Sequence, residues 1–265
     1  MKRNPRRRRR LLLILLAAIV LPAAWIGWSL LTLPSVAPLA SPRFSTTIVV
    51  KDWRKRDRSF VVGPRNPRWT PYGSIPSAMK KAVVAAEDAN FYAHEGVDYE
   101  ALKDAILVDI EKGAFVRGGS TITQQLAKNL YLTREKTLVR KLKEVILARR
   151  IDDMVSKRRI LELYLNVVEL GPMVYGVGHA SQYYFGKPAS AMTVRECAFL
   201  ASMLPGPRIY NPYRKMGRVT KRSDRILRRM VAARMITREE YAAAMAEVPN
   251  LAGLEKKVAK TLEEP

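Results

Sequence analysis

Leu11–Leu33 runs for 23 residues without a charged side chain, directly behind a basic run that holds Lys2, Arg3 and Arg6 to Arg10. At 1.5 Å per helical residue, such a stretch reaches roughly 35 Å, enough to cross a bilayer with some tilt. Trp25 and Trp28 stand toward its far end, as interfacial aromatics do, and a kink at Pro22 is tolerable in a membrane helix. A cleaved leader would carry a shorter apolar stretch and a clear small-residue cleavage site, and Ala37-Pro38-Leu39-Ala40-Ser41 is a poor one. The expectation is an uncleaved anchor. The flanking arginines place residues 1–10 in the cytoplasm and everything after Pro34 outside.

That span divides the chain. Residues 34–70 read as a Pro-, Ala- and Ser-rich linker followed by a possible hairpin, with β-branched arms at Thr46–Val50 and Ser59–Gly63. Residues 71–248 form the main domain, and 249–265 a charged tail. From Ser77 onward the pattern is helical. Ser77 is a candidate cap for Ala78–Asp88, Asp98 for Tyr99–Lys112, and Thr133 for a helix through Glu144. Ser156 is a candidate cap for Lys157–Leu170. Thr193 with Glu196, and Thr237 with Glu240, have capping-box spacing, the first before an apolar helix that stops at Pro205. No convincing strand follows residue 77.

Composition narrows the class. The net charge of +23 implies an anionic partner. Nucleic acid is not expected, because the membrane span already explains the arginine run. The single cysteine, Cys197, excludes an intramolecular disulfide framework and a cysteine zinc site, and its apolar neighbours suit a small buried residue. His94 and His179 are the two histidines, too few for a multi-histidine metal centre.

The chemistry-bearing stretch is Gly118–Glu144, GGSTITQQLAKNLYLTREKTLVRKLKE. Helix packing does not call for Gly-Gly-Ser-Thr-Ile-Thr-Gln-Gln. The glycines allow a tight turn and close approach of a ligand, and Ser120 or Thr121 can cap a helix. Gln124, Gln125 and Lys128 fall on adjacent parts of that helix surface. Arg140 and Lys141 lie four and three residues before Glu144, so the three share a face, and a carboxylate between two cations stays ionised at neutral pH. Upstream, an apolar helix ends in Glu87-Asp88, which is unfavourable for its dipole and unexpected in a purely structural helix.

These strings, in order, resemble the motifs of the peptidoglycan glycosyltransferases, glycosyltransferase family 51, over roughly Pro71 to Arg238. Glu87-Asp88-x-x-Phe91-x-x-His94-x-Gly96 is similar to the first motif, and Gly118–Gln125 with Lys128-Asn129 to the second. Arg140-Lys141-x-x-Glu144 resembles the third, Lys157–Asn166 the fourth, and Arg222 to Met230 the fifth. Pro172–Lys187 resembles the connecting stretch of the monofunctional members. The resemblance implies a mainly α, lysozyme-like glycosyltransferase domain with a small membrane-associated subdomain, preceded by one transmembrane helix. It implies polymerisation of lipid II with inversion and release of undecaprenyl pyrophosphate. Glu87 would be the general base. Glu144 would lie at the pyrophosphate side and organise Arg140, Lys141 or a divalent cation (Mg or Mn), with no cofactor otherwise required. Lys128 and Lys141 would neutralise the leaving group, and Gln124, Gln125 and Asn129 would bind sugar or phosphate oxygens. Lys136 and Arg140 would also be substrate-binding, though Lys136 stands where many members have Arg, so a bidentate phosphate contact there becomes a point charge, and Gly178 stands where many carry a carboxylate. Expected partners are lipid II, the lipid-linked growing chain, membrane lipids, and cell-division or elongation proteins. The expected location is the bacterial inner membrane, with a periplasmic domain.

The residues also favour a base at Glu87, since burial and the adjacent Asp88 both raise a carboxyl pKa. His94 and Glu162 read as structural, and Arg222 as mainly so. Ile106–Val116 reads equally as an amphipathic helix end or as a mobile flap dipping into the membrane. A lysozyme-like hydrolase would share the helices and paired carboxylates, but has no pyrophosphate for a cationic pocket to hold. A non-catalytic basic membrane protein leaves Glu87-Asp88 and the Gln pair unexplained. Ser77-x-x-Lys80 matches a transpeptidase motif by chance, for no Lys-Thr-Gly accompanies it and a second catalytic domain has no room.

Overall fold

The computed structural model describes residues 5–52, 54–113, 118–133, 135, 137–207 and 209–252, with the side chains of 5–15, 106 and 109 excepted. Helix α1 (Pro5–Leu31), with Pro22 inside it, covers most of the expected membrane span. Among the described residues no helix is long and apolar enough to cross a membrane. The side chains of residues 11–15, where the expected span begins, lie outside the described residues, as do residues 253–265 of the expected tail.

Strands β1 (Thr46–Lys51) and β2 (Asp57–Val62) form the expected hairpin, antiparallel with Ile48 opposite Phe60. The linker before it is part of the fold, which its composition did not suggest. Val36 and Leu39 are buried, and Arg159 donates from Nε to the Leu39 carbonyl at 3.1 Å and from Nη2 to that of Ser41 at 2.8 Å. The third arm of that guanidinium reaches Glu162 Oε2 at 2.7 Å, while Glu162 Oε1 accepts the Tyr72 N–H at 2.9 Å. The fourth-motif helix is therefore a clamp on the segment entering the domain, and Glu162 braces the fold as expected.

The domain is mainly helical. Its helices are α2 (Ser77–Glu87), α3 (Tyr99–Lys112), α4 (Ile122–Tyr131), α5 (Leu138–Met154) and α6 (Lys157–Val167), then α7 (Val177–Phe185), α8 (Val194–Ala201), α9 (Pro212–Ala232, kinked at Lys215) and α10 (Arg238–Ala246). Helix α8 is buried from Arg195 to Ala201 and packs on α2, α9 and α10, while α4 packs on α5 and α6. Its two buried charges are matched: Arg195 pairs with Asp224, and Glu196 with Lys187 at 2.7 Å. Cys197 is buried, with its thiol pushed well up by burial.

Most expected helix starts hold. Asp98 caps α3 by accepting the Ala101 N–H at 2.8 Å, Ser156 caps α6, and both Thr capping boxes form. Two do not. Ser77 is the first residue of α2, following an extended Pro76, and makes no cap bond. Thr137, not Thr133, caps α5 by accepting the Arg140 N–H at 3.1 Å, because the chain leaves α4 extended at Leu132 and turns later. Two helices also end early. α6 stops at Val167, where the chain becomes extended and Glu169–Gly171 (β3) pairs with Val174–Tyr175 (β4), a hairpin not expected after residue 77. α8 stops at Ala201 and tightens through Met203 and Leu204 into Pro205, those amides reaching back only three residues.

Candidate active site

Glu87 is the last residue of α2, and Asp88 caps it with a non-helical backbone. The chain then loops through Asn90 to Asp98 and is held at three points. Asp88 accepts from His94 Nε2 at 2.9 Å, Lys157 Nζ donates to the His94 carbonyl at 2.6 Å, and Thr121 Oγ1 donates to the Gly96 carbonyl at 2.6 Å. Gly96 has φ +78°, and a Cβ there would lie 2.5 Å from the Ala148 carbonyl oxygen, so only glycine lets this loop lie on α5. His94 is the hydrogen-bonded structural residue that the sequence suggested. Asp88 Oδ2 also accepts the Ile122 N–H at 2.9 Å, at the start of α4. The acidic pair that looked wrong for α2 thus places Asp88 at the positive end of α4, where a carboxylate is stabilised.

Between these elements lies a cleft of about 740 Å³, lined by Glu87, Gly118–Thr121, Gln125, Lys128, Tyr210, Arg222 and Arg229, among others. A second hollow, of about 780 Å³, lies where α9 meets α10 around Lys81, Arg234 and Thr237, and holds none of the expected site residues. Glu87 is 11% exposed in its side chain. Gln125 Nε2 donates to its Oε2 at 2.9 Å, and Arg222 Nη2 stands 3.7 Å from Oε1. Burial raises the Glu87 pKa, and the nearby charge of Asp88 adds to that. The Gln125 bond, Arg222 and Lys128 oppose the rise without cancelling it. The group is a carboxylate of increased basicity facing cations across a cleft.

Behind the Gly118–Thr121 turn, Glu144 is 3% exposed and bound by Arg140 Nη1 at 2.6 Å and by Lys141 Nζ. Lys141 Nζ also donates to Ser120 Oγ at 2.8 Å. Glu144 is thus not itself on the cleft wall. It holds Lys141 against Ser120, which is. Both of its oxygens are taken, and among the described residues no three His, Cys, Asp or Glu side chains converge. The residues present do not by themselves fit a resident divalent cation.

The remaining expected residues separate. Gln125 and Lys128 reach the cleft, but the Gln125 amide is engaged by Glu87 and by Tyr164, whose hydroxyl donates to its Oε1 at 3.0 Å. Gln124 departs from expectation. It is fully buried, and its Oε1 accepts the Thr121 N–H at 2.9 Å, completing the capping box of α4 instead of facing a ligand. Asn129 is half-buried on α4 and is not among the cleft-lining residues. Lys136 lies outside the described residues, as do residues 114–116 at the end of the Ile106–Val116 stretch. At Gly178 a Cβ would lie 2.4 Å from Thr70 Oγ1 and 2.7 Å from the Arg68 carbonyl oxygen, so this chain has no room for a side chain there.

Arg222 and Arg229 are the residues that sequence reasoning undervalued. Arg229 lines the cleft and donates to the Ala85 carbonyl at 3.4 Å. Arg222 Nε is buried with no hydrogen-bond partner among the described residues. A signal existed. Val219, Ser223, Ile226, Leu227 and Met230 make the buried stripe of α9, and Arg222 and Arg229 recur seven residues apart at its edge.

The transglycosylase family model matches residues 57–231. The biosynthetic peptidoglycan transglycosylase of Herminiimonas arsenicoxydans is 42% identical over 186 residues, 68% of this chain and 80% of that one. The protein of the same name from Nitrosomonas eutropha is 39% identical over 228 residues, 80% of this chain and 93% of its own length. Penicillin-binding protein 1A of Aquifex aeolicus is 38% identical over 233 residues, 84% of this chain but 31% of that protein. With a family match that spans more than half of its residues and takes in the whole cleft from Glu87 to Arg229, the chain belongs to the transglycosylase family.

Proposed function

We propose that this protein is a peptidoglycan glycosyltransferase that polymerises lipid II into glycan strands during cell-wall synthesis. Glu87 takes the proton from the acceptor's 4-hydroxyl as that oxygen bonds to the anomeric carbon of the lipid-linked growing chain. The anomeric C–O bond breaks, its electron pair leaves with undecaprenyl pyrophosphate, and configuration inverts. A largely buried carboxylate of raised basicity suits the proton transfer. Lys128 stabilises the charge that develops on the leaving group, with Arg222 and Arg229 as the further cations of the cleft wall, and Lys141, held by Glu144 against the cleft-lining Ser120, adds its charge from behind that turn. No step is assigned to a metal ion.

The observation that carries this reading is the pairing of a largely buried carboxylate of raised basicity, Glu87, with a cation-lined cleft. A hydrolase using water needs the carboxylate and gains nothing from the cations. Incubation of the detergent-solubilised protein with labelled lipid II tests it: polymer is expected, and release of small muropeptides from finished wall, without polymer, would favour the hydrolase.

Membrane attachment belongs to the same proposal. The charge-free run in α1, its exposed Trp25 and Trp28, and the basic run before it support a single-pass anchor with the domain outside the cytoplasm. Leu107 and Ile110 on α3 and Leu138 at the start of α5 are 55%, 72% and 91% exposed, which supports further apolar contact with the bilayer from these two helices. Both substrates carry lipid tails, so an enzyme held at the bilayer meets them in two dimensions.

A further inference from the structure

A line of three side chains runs from the core to the cleft. Tyr164 on α6 is fully buried, its hydroxyl donates to Gln125 Oε1 at 3.0 Å, and Gln125 Nε2 donates to Glu87 Oε2 at 2.9 Å. A primary amide can sit either way round in such a line. Facing an ionised carboxylate, its N–H end attracts and its oxygen repels. A tyrosyl hydroxyl on the far side, kept protonated by burial and by the negative charge of Glu87 and Asp88, offers a donor that pairs with the amide oxygen. That fixes the amide with its N–H toward Glu87.

We propose that Tyr164 is a positioning residue for the reaction: through the Gln125 amide it holds Glu87 ionised and aimed into the cleft. The inference rests on the assignment of Glu87 as general base. It also bears on the end of each turn. Glu87 must release the proton it has accepted, and an N–H fixed on its oxygen favours the ionised form to which it returns. The other groups facing Glu87 are Asp88 beside it in the chain, Lys128 on α4 and Arg222 on α9, with Arg229 close by at the Ala85 carbonyl. Removing the Tyr164 hydroxyl leaves all of them in place.

Tyr164→Phe keeps the ring and deletes one oxygen. The measurement is kcat/KM for polymerisation as a function of pH. The acid-side limb should move to higher pH, with about three- to tenfold lower kcat/KM on that side, recovery at higher pH and little change in KM. A purely structural tyrosine would lower the whole profile without moving the limb. Gln125→Met breaks the same line nearer the base and should move the limb in the same direction. Adding Tyr164→Phe to it should then change nothing further, since the tyrosine acts only through that amide. Limbs that coincide with wild type, or additive effects of the two changes, would overturn the proposal. If Tyr164→Phe did not fold, an unmoved limb in Gln125→Met would overturn it equally. Retained turnover in Glu87→Gln would instead remove the base assignment on which it rests, a separable failure.

Discussion

Asp88 Oδ2 accepts the backbone N–H of Ile122 at 2.9 Å, so the residue that ends α2 also secures the start of α4. The same carboxylate holds His94. One buried side chain therefore fixes Glu87, the loop after it, and the helix that carries Gln125 and Lys128 in a single arrangement.

Asp88→Ala should cost about 1–3 kcal/mol of stability, because a buried N–H and the His94 ring nitrogen both lose their acceptor. It should also reduce turnover by more than it reduces substrate binding, since α4 would shift relative to Glu87. Denaturant unfolding and steady-state kinetics on the purified variant measure both.

Glu87 predicts a conflict between activity and stability. Its pKa is raised above the ordinary 4.5. The folded chain therefore holds that proton more tightly than the unfolded chain. As pH rises from about the ordinary value through the raised one, ionisation costs the folded state stability, and the cost then stays constant. Glu87→Gln removes an ionisable buried group. Its melting temperature should exceed wild type at neutral pH, and the advantage should vanish as pH falls below the ordinary carboxyl value. Thermal unfolding of both proteins over that range checks the sign.

Lys141→Met leaves Glu144 buried with Arg140 alone and frees Ser120 from its ammonium. A loss of about 1–3 kcal/mol in stability is expected, and a fall in polymerisation on the order of 10²-fold, as when one charge-stabilising donor is removed from a reaction centre. Lys221→Met, an equal loss of charge on the exposed face of α9, should leave turnover near wild type. Equal losses in the two variants would mean that the general positive charge of the protein matters and this ammonium does not.

Local rules made much of this molecule legible. Capping residues marked most helix starts because a side-chain oxygen three residues ahead of an N–H is a short-range device, visible in Thr121, Asp98, Ser156, Thr193 and Thr237. The grouping of Arg140 and Lys141 with Glu144 followed from helical spacing alone. What sequence could not supply was the partner across the fold. Gln124 and Gln125 are adjacent and chemically identical, yet one closes a capping box and the other meets Glu87, a difference set by which way α4 faces. Asp88 looked costly because its benefit lies 34 residues away in the sequence. The linker around Leu39 looked loose because its clamp, Arg159, is 120 residues distant.

The proposed division of labour between Glu87 and Glu144 is tested by Gln substitutions at each, assayed in parallel for lipid II polymerisation and for lipid II binding. Glu87→Gln should lose on the order of 10²–10⁴ in turnover with binding retained. Glu144→Gln should lose turnover together with binding on the pyrophosphate side, because Lys141 is no longer held at Ser120. Near-normal turnover in Glu87→Gln, beside a Glu144→Gln that binds normally but does not turn over, would contradict the account and reverse the two roles.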